Sequence, residues 1–108
     1  MGWEYGIRTT ESVSLPAVVK HLASALTFTE VYSLEYQVNG FVLKREDPSW
    51  PTALEVWIEQ ASGLEEIVDG DSYMYCLFHI WGEEGRSWMQ QMELVTGQMD
   101  GGLIWFEL

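Results

Sequence analysis

With 108 residues the chain is long enough for one domain, 1–108, and too short for two comfortable ones. Seventeen acids against five bases leave a formal charge of −12. That charge opposes binding to nucleic acid phosphates or anionic membrane surfaces and favours a cationic partner. A hydrophobic content of 47% excludes disorder, and the lone Cys76 excludes an internal disulfide or a cysteine metal cluster.

Residues 1–10, MGWEYGIRTT, lack the basic and apolar regions of a signal peptide. Gly2 is not followed by the Ser or Thr of a myristoylation signal, and no apolar run is long enough to span a membrane. A reducing, cytoplasmic setting with no membrane attachment is therefore expected.

Residues 3–9 alternate Trp3, Tyr5 and Ile7 against Glu4, Gly6 and Arg8, the period of a strand. Leu15, Val18, Val19, Leu22 and Leu26 then recur at helical spacing. Ser14 can cap the start, and Pro16 falls in the first turn, where its missing N–H costs nothing. Residues 31–45 read as a hairpin. Asn39-Gly40 suits a two-residue type I′ turn, which would place Val38 opposite Phe41, Tyr36 opposite Leu43, and Glu35 opposite Lys44.

Two prolines make residues 46–52 a turn region. Residues 53–60, ALEVWIEQ, alternate as a strand. Residues 61–71 read as a loop or a short helical turn closed by Asp-Gly-Asp. Residues 72–81 are apolar on both faces, as expected of a central strand. Trp88, Met92, Val95 and Met99 form a helical stripe, with Glu83 and Glu84 near its positive N-terminus and Gly97 as a stop. Residues 103–108, LIWFEL, close the chain as a strand.

The order strand, helix, four strands, helix, strand predicts an α+β fold. Two helices should pack on one face of a mainly antiparallel sheet of about six strands. Alternation then assigns the opposite face. It should carry Glu4 and Arg8; Glu35, Gln37 and Lys44; Glu55, Trp57 and Glu59; Tyr73, Tyr75, Leu77, His79 and Trp81; and Trp105 with Glu107. Trp57 is the notable member, a large indole between two carboxylates on the face meant for water. Aromatic faces attract guanidinium and ammonium groups, and neighbouring carboxylates add charge-assisted hydrogen bonds.

Three readings of that face stand open. It could seat a basic partner, it could be a second core layer under the 46–52 and 61–71 loops, or it could join two copies in a homodimer. The first makes the chain an acidic interaction domain that masks a basic protein, in the manner of an inhibitor or immunity-type protein. Trp57, Trp81 and Trp105 would be its anchors, Tyr73 and Tyr75 would lie beside them, and Glu35, Glu55, Glu59 and Glu107 would form the charged surround. The alternative is a small-molecule-binding domain, again open to dimerisation, with a pocket between the sheet and the 46–52 loop around Trp50.

Catalytic chemistry finds little support in the residues. Cys76 and His79 are three apart on a strand and face opposite sides, so they cannot form a nucleophile–base pair. Two histidines and one cysteine predict no transition-metal site, and no cofactor is expected. Asp69 and Asp71 around Gly70 lack the further acids of a calcium loop and read as a turn. Residues 82–87, GEEGRS, carry two carboxylates that would repel a phosphate.

Overall fold

Six strands and two helices form in the expected order in the computed structural model, which describes residues 3–10, 14–47, 49, 51–80, 82–99 and 102–108. They are β1 (Trp3–Thr9), α1 (Leu15–Ala25), β2 (Tyr32–Gln37), β3 (Gly40–Arg45), β4 (Thr52–Gln60), β5 (Ser72–Phe78), α2 (Gly82–Gly97) and β6 (Leu103–Glu107). Every strand pairing is antiparallel, and the sheet runs β2-β3-β4-β5-β1-β6. The first strand thus slots between β5 and β6, and β2 and β6 are the edges. Trp50 and Trp81, both assigned binding roles from the sequence, lie outside the described residues.

The helices fold onto one face because each carries an apolar stripe. Ser14 caps α1 by accepting from the Ala17 N–H at 3.4 Å, with Pro16 in the first turn as expected. Val18, Val19 and Leu22 of α1 and Trp88, Met92 and Val95 of α2 meet Ile7, Phe41, Leu43, Leu54, Val56 and Met74 from the strands in one core. Cys76 is fully buried there, and burial pushes its thiol pKa up, so it behaves as a small hydrophobe. No helix is long and apolar enough to cross a membrane among the described residues.

Two details of register differ from expectation. In the hairpin, Tyr36 pairs with Phe41 and Gln37 with Gly40, so the turn residues are Val38 and Asn39. Neither has a positive φ, and the turn is therefore not type I′. Gly40 is used inside β3 instead. A Cβ there would lie 1.9 Å from the Val56 carbonyl oxygen, so glycine lets β3 close against β4. Apolar faces survive the shift because the slip is one residue on each strand. Glu35 now lies opposite Val42, and its contact with Lys44 is diagonal, with Nζ and Oε2 3.0 Å apart.

The second correction concerns the last strand. Ile7 pairs with Trp105 and Tyr5 with Glu107, so Trp105 and Glu107 lie on the helix side, not on the opposite face. Trp105 packs edge-on against Tyr5 with centroids 5.8 Å apart, and its indole N–H donates to Thr96 Oγ1 of α2 at 3.0 Å. Thr96 is itself buried and donates to the Met92 carbonyl at 2.8 Å, so this polar group is satisfied on both sides. Phe106 takes the opposite face in place of Trp105.

Candidate functional site

The sheet face away from the helices is organised in cross-strand rows. One row runs Gln37, Gly40, Trp57, Tyr75, Gly6 and Phe106 across all six strands. Its neighbour runs Glu35, Val42, Glu55, Leu77 and Glu4. Paired residues share a face, so these rows are the surface itself.

Trp57 and Tyr75 form the middle of the first row. Their rings stack with centroids 4.6 Å apart and planes 22° apart. The Trp57 indole N–H donates to Glu59 Oε1 at 2.5 Å, and the Tyr75 hydroxyl donates to Glu4 Oε1. Burial raises the Tyr75 pKa most, and the hydrogen bond to Glu4 and that carboxylate's charge raise it further, because both favour the neutral phenol. The expected neighbours Glu55 and Glu59 are thus both present, with different jobs. Glu59 orients the indole, whereas Glu55 meets the His79 imidazole, its Oε2 lying 2.8 Å from Nε2.

Glycines flank this aromatic pair in the row. On the β6 side, the Phe106 ring lies over Gly6, where a Cβ would come within 2.2 Å of it. Phe106, Tyr73 and Ala61 form a second buried cluster, covered by Leu64 and Ile67 of the 61–71 loop. Backbone bonds close that loop on itself: Ala61 N–H to Asp71 O at 2.8 Å and Gly70 N–H to Ala61 O at 2.9 Å. Asp69 accepts from the Gly63 N–H at 2.9 Å, which makes it a loop-closing acid. Tyr73 is buried here, and desolvation raises its pKa, with the Glu59 and Glu4 charges adding to the rise. Of the two loops considered as covers, the 61–71 loop therefore roofs the half of the face built by β1, β5 and β6.

On the β3 side, the space at Gly40 is taken by the backbone of Val56 and Trp57. A shallow open groove of about 610 Å³ runs over β2, β3 and β4, lined among others by Glu35, Val42, Lys44, Glu55 and Trp57 and by the turn residues Val38 and Asn39. Tyr75 occupies one side of the indole, and the groove borders Trp57 from the side of β3. A second, smaller hollow of about 210 Å³ opens on the helix side of the same hairpin tip.

Of the residues expected to form the site, Trp57, Glu35 and Glu55 line one groove, while Tyr75 and Glu59 support it from behind. Tyr73 belongs to the roofed cluster, and Trp105 and Glu107 are on the other side of the sheet. The hairpin tip and Val42 were missed by the sequence reading. The signal for Val42 was available, since an aliphatic on the polar face of a hairpin mirrors the anomaly of Trp57. Cys76 and His79 do not meet: the thiol is in the main core, and the imidazole is on the opposite face with Glu55. No cluster of three or more His, Cys, Asp or Glu side chains able to hold a metal occurs among the described residues. No family model, no curated protein and no solved structure matches this chain.

Proposed function

We propose that this chain is a small acidic interaction domain that binds and masks a basic protein, seating an arginine or lysine of that partner in the groove over β2, β3 and β4. The observation that carries the reading is the placement of Trp57. Its ring is held by stacking on Tyr75 and by the bond to Glu59, and it borders a hollow that Glu35 and Glu55 also line. Holding the ring before binding removes an ordering cost that a mobile indole would bear. A cation over the indole gains roughly 0.5–2 kcal/mol, depending on desolvation.

Charge supports the same partner chemistry. A net −12 steers a cationic surface inward, whereas a second copy of the chain would bring −12 against −12. Masking would be steric, by the sheet face and the hairpin tip, with inhibitor-type action as the outcome.

Calorimetric titration of the full chain with a nona-arginine peptide tests the proposal. Trp57→Leu keeps apolar area but removes the indole face, and binding should weaken about tenfold. Neutralising two acids on the roofing loop, Glu65→Gln with Glu66→Gln, should weaken it less than threefold and flatten its salt dependence. Equal losses in the two variants would mean that only net charge attracts the peptide, and the groove would lose its role.

A further inference from the structure

The two hollows share a wall. Gln37, Val38 and Asn39 line both the groove on the open face and the smaller hollow on the helix side, so the hairpin tip stands between them. Val38, at that tip, is 100% exposed, and Tyr36 beside it is 61% exposed. Two aliphatic or aromatic side chains at the free end of an edge hairpin are costly to leave in water, and neither contributes to the core.

The hollows differ in chemistry. The groove has the indole and two carboxylates, as described. The smaller hollow is framed by Pro16 and Val19 of α1, Ile58 of β4 and Tyr36, all apolar in body, with Lys20 as its one charged residue. Lys20 is exposed and has no carboxylate in ion-pair reach among the described residues. A cation entering this hollow would meet Lys20, whereas an aliphatic side chain would cover Val38, Ile58 and Tyr36.

We infer, on the basis of the function proposed above, that the partner is recognised by a bipartite segment straddling the hairpin tip: an arginine or lysine in the Trp57 groove and an uncharged aliphatic residue in the Lys20 hollow. The segment crosses from one sheet face to the other over Val38. Crossing one sheet takes on the order of 10 Å, or about three extended residues at 3.3 Å each. The cation and the aliphatic residue should therefore stand roughly three positions apart. Lys20 acts as the selector, since it discriminates against an unbroken basic tract lying across both hollows.

Peptide titration of the isotopically labelled full chain separates this inference from the proposed function. The probes are acetylated, amidated hexapeptides: one carrying a single Arg among Ala and Gly, one with Leu three positions from that Arg, and one with a second Arg in place of the Leu. The Arg–Leu peptide should bind about tenfold more tightly than the Arg-only peptide. It should move both the Trp57 indole resonance and the Ile58 methyls. Tyr36→Ser, at an exposed position that lines only the smaller hollow, should abolish the gain from Leu and leave the Arg-only affinity unchanged. Lys20→Glu should switch the preference from Leu to the second Arg.

If the Leu and Arg-only peptides bind alike while the Trp57 resonance moves, the bipartite inference falls and the groove reading survives. If no peptide moves the Trp57 resonance, both fall. A second Arg that binds better than Leu to the wild-type chain would also overturn the inference, because Lys20 would then select nothing.

Discussion

One sheet face is treated in two ways by the same chain. In the row through Trp57, a glycine stands on each side of the aromatic pair. Over Gly6 lies the Phe106 ring, packed with Leu64 and Ile67 in a satellite core. At Gly40 the backbone of Val56 and Trp57 takes the space, and an open groove lies beside Trp57 over β2, β3 and β4. A glycine in a strand row therefore admits a ring or a neighbouring backbone according to what the adjoining strand brings to it. The halves share antiparallel pairing, and they differ in cover and in the register shift between Leu43 and Lys44.

That comparison predicts unequal costs for removing a ring. Phe106→Ala should destabilise by about 3 kcal/mol, since it empties a buried cluster under the loop. Trp57→Ala should cost only about 1–2 kcal/mol, from the stacking contact and partial burial, as one side of its ring borders the groove. Urea denaturation of both variants checks this, and equal costs would erase the distinction between the halves.

The two glycines should also respond differently, and by less. Gly40→Ala drives a Cβ into backbone, the Val56 carbonyl, so β3 must lift from β4 at a cost of about 2 kcal/mol. Gly6→Ala meets only the end of the Phe106 ring, which can turn away and expose the cluster. Hydrogen exchange should therefore show loss of protection along β3 and β4 in the first variant and around the 61–71 loop in the second. Protection lost around the 61–71 loop in Gly40→Ala would break the comparison.

The smallest effect expected is alkaline. Tyr73 and Tyr75 have folded pKa values above the ordinary 10.0, so the unfolded chain releases these phenolic protons first. Their contribution to stability is complete below pH 10 and is lost as pH rises above it toward the folded values. Denaturation midpoints at pH 8 and pH 11 should fall further apart in the wild type than in Tyr75→Phe. An unchanged gap would show that burial and the Glu4 contact do not hold the phenol neutral.

The elements and their faces were legible where one side of a segment is apolar and the other is not. The ALEVWIEQ alternation placed Glu55, Trp57 and Glu59 on the surface, and the helical stripes with Ser14 and Pro16 placed α1 to within a residue at each end. Two things were decided only by tertiary contact. In LIWFEL both faces are apolar, so alternation has no preferred phase. The choice falls to Gly6, which makes room for Phe106, and to Thr96, which satisfies the Trp105 indole. Asn39-Gly40 carries a strong local turn preference, yet the close approach of β3 to β4 needs a residue without a Cβ at position 40 and moves the turn back by one. Local periodicity sets which side a residue faces when only one side can be buried. Where both could be, packing against strands distant in sequence decides, and so does whether a loop comes down to cover the face or leaves it open.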